Sequence, residues 1–545
     1  MTHVKAATNK SNLMMGIASA LLIASPAGFA AKAPSIQQQL EAMQKALAEQ
    51  QAQLEAQRKQ LAEQQAELQA LRSAVPAEEQ KKQEVQQLQA DISKLSSQEA
   101  PKWSISNGRP TITSADGRSS LSIRALVQAD VGHYSQDTLG PLATDFRRGS
   151  TGATGNRETN AARDLSDGAY FRRARLGVEG VIARDFNYKV ILELGGAGME
   201  GPTRINDAWI GYTGFAPFAI QLGAFSPPAN LEDGTTPDDL LFIERASSSE
   251  LSRALGGADG RLGLNVRAAG ARWYGSLTYT SRTVNDAEIF DSQSALVGRA
   301  AALVATGADY NVHLGVSGTY VLHPADQGAD ATGARYGIRF RDRPELRIDS
   351  TRLIDTGTIN ADHAYAASAE FAVNWRNFYL QGENFWYGIE RATPTKLTNP
   401  KFKGYYLEGS WVITGESHRY NMASASYQTP RPYVPFSTGE GWGAWELAFR
   451  VSDTDLNSDA GDPGSAAAAN AVRGGEQKIY AVGLNWYLNA NLRFLLDYSH
   501  IKVDRLNPAR TASPTPFGDP PLTPPFGVQI GQDLNTYALR TQFSF

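Results

Sequence analysis

The chemistry this sequence offers comes mainly from arginines spaced at alternate positions. In Phe171-Arg-Arg-Ala-Arg-Leu-Gly-Val-Glu-Gly180, an extended backbone sends Ala174, Leu176 and Val178 to one face and Arg173, Arg175 and Glu179 to the other. Arg172 falls at the outer end of that strand. The same parity puts Arg261 and Arg267 opposite Leu262, Leu264 and Val266, and Arg335, Arg339 and Arg341 opposite Tyr336, Ile338 and Phe340. It also places Arg124, Lys189, Arg450, Arg493 and Arg540 on a water-facing side. Guanidiniums hold oxyanions through paired hydrogen bonds and keep their charge at any relevant pH. Repeated weak contacts of this kind pass an anion along a channel. A competing reading pairs the same arginines with water-facing acids such as Asp130, Glu179, Glu370, Glu408 and Asp497. The pattern alone leaves both open.

Other chemistries find little support. The seven histidines are scattered, and neither H-E-x-x-H nor G-x-S-x-G occurs. There is no cysteine, so no disulfide, thiolate metal site or cysteine nucleophile is possible. Asp453-Thr-Asp-Leu-Asn-Ser-Asp459 begins like a calcium loop but lacks its glycine and closing glutamate. No catalytic residue, metal or cofactor is expected, and a net charge of -4 gives no basis for nucleic-acid binding.

The elements that must carry the arginines read as strands. Leu534 to Phe545 alternates, with Tyr537, Leu539, Thr541, Phe543 and Phe545 on one face and Ala538, Arg540, Gln542 and Ser544 on the other. One face suits lipid and the other water, and such a strand must close a barrel to leave no unpaired edge in hydrocarbon. The expected fold is therefore all-β: an antiparallel transmembrane barrel of sixteen strands over 119–545. The strands are expected to start near Ser119, Ala169, Phe186, Ile205, Phe218, Arg261, Arg272, Tyr310, Ala334, His363, Asn377, Phe402, Gly441, Gln477, Asn491 and Leu534. Long gaps alternate with tight turns, as a barrel with both termini in the periplasm requires. Leu322 to Gly333 and Gly415 to Glu440 are longer than that rule allows.

Ahead of the barrel, residues 1–30 read as a secretory signal: Lys5 and Lys10, an apolar stretch, then small residues ending at Ala30. Residues 31–100 contain leucines at 40, 47, 54, 61 and 68, each one heptad from the next, with a shorter segment resuming from Val85 to Leu95. This predicts a periplasmic α-helical coiled coil, hence a homo-oligomer, with possible reach to peptidoglycan; a solvated helical linker is the alternative. Residues 101–118 are expected to be a linker.

Six segments carry a family resemblance: Phe171 to Gly180, Asp207-Ala-Trp-Ile-Gly-Tyr212, Phe225-Ser-Pro-Pro-Ala-Asn-Leu-Glu232, Arg343-Pro-Glu-Leu-Arg-Ile-Asp349, Gly441 to Arg450 and Val482-Gly-Leu-Asn-Trp-Tyr487. In this order they resemble the phosphate-selective porin O and P family. The resemblance implies a trimer of sixteen-stranded outer-membrane barrels passing small anions such as phosphate by passive diffusion through an arginine-lined lumen narrowed by infolded loops. In phosphate-selective members, lysines in and beside the loop after the fifth strand help form the central anion site. Here position 226 is Ser226, and the corresponding constriction loop, 226–260, carries Glu232, Asp233, Asp238, Asp239 and Glu244 against Arg245 and Arg253. Unpaired inside a pore, those carboxylates would repel phosphate; a general or non-phosphate porin, or an envelope tether acting through the coiled coil, are the alternative expectations. Pairing of the loop acids with the luminal arginines is the other outcome open to the loop.

Overall fold

The structure is a computed structural model that describes residues 36–73, 101–106, 108–136, 165–195, 203–256, 258–285, 291–326, 337–392, 397–508 and 526–545. The chain forms two units, residues 1–97 and 98–545. Within the first, α1 (Ile36–Ser73) is a single long helix on which Leu47, Leu54 and Leu61 are exposed. The expected signal segment and the second heptad segment lie outside the described residues.

The second unit is a closed antiparallel barrel of sixteen strands. A hairpin precedes it, β1 (Lys102–Ser106) and β2 (Arg109–Thr113), in the stretch expected to be a linker; β2 pairs with the first turns-side residues of β3. The barrel strands begin with β3 (Ser120–Gln136), β4 (Gly168–Ile182), β5 (Phe186–Glu193), β6 (Arg204–Phe215), β7 (Phe218–Phe225), β8 (Arg261–Ala269), β9 (Trp273–Thr283), β10 (Ser294–Thr306) and β11 (Tyr310–His323). Short ladders β12 (Arg341–Asp342) and β13 (Ile354–Asp355) lie in a loop. The barrel continues with β14 (Ala361–Trp375), β15 (Phe378–Arg391) and β16 (Lys401–Val412); a small hairpin, β17 (Arg419–Asn421) and β18 (Ser426–Gln428), follows. It ends with β19 (Ala444–Ser458), β20 (Val472–Tyr487), β21 (Leu492–Asp504) and β22 (Asp533–Ser544). β22 closes on β3 from Leu534↔Gln136 to Ser544↔Leu126, and Phe545 and Ala125 exchange backbone hydrogen bonds of 3.0 and 3.2 Å. No edge of the barrel is left open, as backbone in hydrocarbon requires.

The terminal strand divides its faces as its alternation predicts: Tyr537, Leu539 and Phe543 are exposed outward, whereas Arg540 and Gln542 are buried inward. Stacked aromatics mark the turn end of the wall, with Trp375 and Trp411 flanking Phe378, and Trp445 and Phe494 flanking Trp486.

Sixteen strands were expected, yet one lies elsewhere. Ser294–Thr306, expected as loop, is β10; its alanines are weak strand formers, but Leu296 and Val304 face out and Val297 and Arg299 face in. Of the strand expected to start at Ala334, the described part from residue 337 onward is not a wall strand. Its alternation is real, but Ile338 and Phe340 turn into the barrel instead of toward lipid. With β10 in place, the gap after Leu322 becomes part of an ordinary long loop between β11 and β14.

Residues 337–359 fold into the loop end of the barrel. Phe340, Leu346, Leu353 and Ile354 pack with wall side chains Phe385, Tyr387, Ile389 and Phe402; the Phe340 ring lies 5.4 Å from Tyr387 and 5.9 Å from Phe402. The inner wall therefore changes character along its height, apolar toward the loops and polar toward the turns. Burial of an aromatic side chain contributes roughly 1.5–3 kcal/mol, so this cluster holds the segment in place.

Candidate channel constriction

Among the described residues, three segments enter the barrel. The first follows β7, the fifth barrel strand, and contains α2 (Leu231–Gly234) and α3 (Ser247–Gly256). Asn230 caps α2 by accepting from the Asp233 amide, and the amides of Leu231 and Glu232 donate to the Glu383 carboxylate at 3.0 Å each. Carboxyl oxygens at a helix start satisfy otherwise orphaned donors.

From Pro237 to Glu244 this segment runs along the inner face of the wall as a series of turns and bends, with its carbonyls taken by wall side chains. Gln128 binds the Pro237 oxygen, Gln542 that of Asp238, Arg493 that of Leu240 and Asn485 that of Leu241. Arg540 and Arg450 take the oxygens of Ile243 and Glu244 at 2.6 and 2.8 Å. Buried backbone groups need partners, and here long polar side chains on β3 and β19–β22 supply them.

Most of the loop acids are paired with guanidiniums. Arg450, 1 % exposed, bonds Glu232 at 2.9 Å, Glu408 at 2.6 Å and Glu345 at 3.1 Å. Arg540 holds Asp130 through two contacts of 2.7 and 2.8 Å. Glu244 meets Arg172 and Arg347; burial alone would raise its carboxyl, but those guanidiniums outweigh it and hold it well below the usual carboxylate range. Burial likewise opposes ionisation of Glu250, yet Arg347 and Arg253 bring it to about 2. Arg253 binds Asp233 and Asp259 at 2.6 and 2.5 Å, and Arg245 bonds the carbonyls of Glu232 and Thr235. Asp239 accepts from Thr429 at 2.8 Å, and Asp238 borders an open chamber.

The expected arginines therefore separate into two groups. Arg173 is buried against Gln128, and Arg450, Arg493 and Arg540 anchor the loop. Arg172, expected at the strand's outer end, points inward because a register shift opposite Gln128 and Ala129 turns it beside Arg173. Arg261 bonds the Ser281 carbonyl. Arg339 pairs with Asp355 and Arg341 is exposed on β12, both on the infolded loop and not on the wall; Arg335 lies outside the described residues. Arg124, Lys189 and Arg267 remain on β3–β8, the side the loop leaves uncovered, whereas Arg175 on β4 borders the smaller chamber but pairs with Glu193 at 2.7 Å and with Asp259 of the loop at 2.9 Å.

The third segment comes from the turn end. Residues 413–443, the overlong gap, send β17 and β18 into the lumen. There Arg299 bonds the carbonyls of Ser424 and Ala425, His418 contacts Glu446 at 2.6 Å, and Ser426 donates to Gly234 of the first loop at 2.9 Å. Spacing marked this connection as unusual; its inward path depends on partners from β10, β19 and the first loop.

Two open chambers lie between these segments and β3–β9. The larger, about 770 Å³, is bordered by Arg109, Arg124, Lys189, Arg267, Arg419, Arg431 and Arg493 against Glu179, Asp238 and Asp239. The smaller, about 280 Å³, is bordered by Arg175, Lys189, Arg245, Arg253 and Arg267 against Asp207, Asp233 and Asp259. They share Lys189, Trp209 and Arg267. Lys189 sits 3.3 Å from Asp207 and Arg124 3.5 Å from Glu179. Sequence reasoning missed the anchors Glu345 and Arg347 and the inward Trp209, which alternation alone could have placed opposite Ile210.

The family model for phosphate-selective porin O and P matches residues 148–516. Porin O of Pseudomonas aeruginosa is 24% identical over 391 residues, covering 67% of this chain and 83% of that protein. An uncharacterized protein of Caulobacter vibrioides is 26% identical over 358 residues, covering 64% and 66%. Among solved structures, a loop-deletion form of the outer membrane protein OmpT of Vibrio cholerae overlaps at a TM-score of 0.43 with 9% identity, covering 78% of this chain and 100% of that one. The outer membrane channel DcaP of Acinetobacter baumannii overlaps at 0.40 with 11% identity, covering 78% and 97%. The chain belongs to the phosphate-selective porin O and P family of outer-membrane channels.

Proposed function

We propose that this porin passes small anions by passive diffusion and is a channel without enzymatic activity. The observation that carries the reading is the excess of basic over acidic side chains around both open chambers. Arg124, Arg175, Lys189 and Arg267 form the anion pathway, joined at the turn end by Arg109, Arg419 and Arg431. Arg450, Arg493 and Arg540 act mainly by holding the loop, and Arg173 by holding Gln128, which binds the loop at Pro237. Because Glu232, Asp233 and Glu244 are neutralised by guanidiniums, the acidic loop does not oppose anions as its composition implies. Phosphate fits this pathway as one small anion among others, since Ser226 supplies no charge.

The mature chain begins after residue 30, both barrel termini face the periplasm, and α1 joins copies there. Exposed Leu47, Leu54 and Leu61 at heptad spacing support a homo-oligomer, and family membership favours a trimer. Tethering to peptidoglycan through α1 is a second reading resting on that helix. The test of transport is the reversal potential of purified protein in a planar bilayer under a potassium chloride gradient. Anion preference, weakened in Arg267→Ala, is the expected result; cation preference or absence of conductance overturns it.

A further inference from the structure

The shared stretch of the two chambers combines charge with an aromatic surface. Trp209 on β6 lies beside Lys189 on β5 in the strand register and borders both chambers together with Arg267 on β8. It faces inward, while its neighbour Ile210 is exposed outward, so it is not part of the interfacial belt. Phe225 and Tyr274, both nearly fully buried, back the smaller chamber. Lys189 has Asp207 as partner, but Arg267 makes no ion pair among the described residues.

Inorganic phosphate gains nothing from an indole. A hydrated ion is served by charge and hydrogen bonds alone, and an aromatic wall removes positions where donors could stand. A flat organic body, in contrast, buries apolar area against a ring and gains stacking beyond that area. The smaller chamber, about 280 Å³, is close to the roughly 300 Å³ lower bound of small-molecule sites.

We infer that the stretch shared by the two chambers is a binding subsite for aromatic monocarboxylates, whose ring lies on Trp209 while the carboxylate is held by Arg267 and Lys189. The inference rests on the anion-channel reading and adds the solute class. Charge draws in any small anion, and the indole sorts those with a ring from those without.

The experiment is block of single-channel chloride current by benzoate, acetate and phosphate, each added to the full-length protein in a planar bilayer at constant ionic strength and pH 7. Benzoate and acetate carry the same charge, so their ratio isolates the ring. The half-blocking concentration of benzoate is expected to be roughly tenfold below that of acetate, the size of one aromatic contact, and below that of phosphate. Trp209→Ala should bring benzoate to the level of acetate, and Trp209→Phe should keep most of the difference. Equal block by benzoate and acetate in the wild type overturns the inference, as does an undiminished ratio in Trp209→Ala or tighter block by phosphate. Reversal potentials recorded on the same channels separate the two readings: anion preference with equal block refutes the subsite alone, whereas cation preference refutes the anion channel itself.

Discussion

Replacing Arg450 by methionine tests whether the luminal arginines hold the infolded segments. Arg450 joins wall strand β19 to three carboxylates: Glu408 on β16, Glu232 in the first loop and Glu345 in the second. It also takes the Glu244 carbonyl and lies 4.5 Å from the centre of the Phe242 ring. Methionine retains much of the stem but leaves those acids buried without their common partner. Removing one side of a buried ion pair costs roughly 3–5 kcal/mol, which is on the order of a 10²- to 10⁴-fold shift toward undocked loops. The barrel ladders do not depend on Arg450, so heat-modifiable migration of the folded barrel should persist. Single-channel conductance should rise and become noisier, and residues 226–260 and 337–359 should become sensitive to protease. Adding Glu232→Gln and Glu345→Gln should recover part of the wild-type conductance, because uncharged amides tolerate burial better than unpaired carboxylates. Unchanged conductance and protease resistance in Arg450→Met would refute the anchoring role.

Three further outcomes are expected. Phe340→Ala should destabilise docking of 337–359 by roughly 3–5 kcal/mol, seen as protease cleavage in that segment with barrel migration unchanged. For pH, Glu244 and Glu250 are depressed in the folded protein, so their contribution is complete above the ordinary glutamate value near ~4.3 and is lost as pH falls through about 2; conductance should be flat from pH 7 to 5 with respect to loop docking, and a rise within that window counts against the pairing. Leu54→Asp in α1 should abolish cross-linked oligomers of a fragment spanning the helix if the heptad seam joins copies; persistence of the oligomer removes the seam.

Much of the architecture was legible because it is local. The period of two in β22 assigns Arg540 inward and Leu539 outward without reference to any partner, and the even strand number follows from closure. The locality of that reasoning also explains its failures. Arg335 to Arg341 alternates like a wall strand, and only the aromatic surface formed by Phe385, Tyr387 and Phe402 decides that Phe340 faces the barrel interior. Ser294–Thr306 is alanine-rich, and its pairing with β9 and β11 overrides weak intrinsic preference.

The candidate site divides along the same line. By itself, the sequence determined that a β-barrel with arginines on its inner face would form, since side-chain parity and the need to satisfy backbone in lipid leave few other solutions. It named the loop after the fifth strand and counted its acids. Only the tertiary structure decided which arginines meet those acids and which remain beside open space, because Arg450 and Glu232 are 218 positions apart and their meeting depends on how the loop crosses the lumen. Charge at each position is written in the chain; whether that charge is neutralised is a property of three-dimensional neighbours.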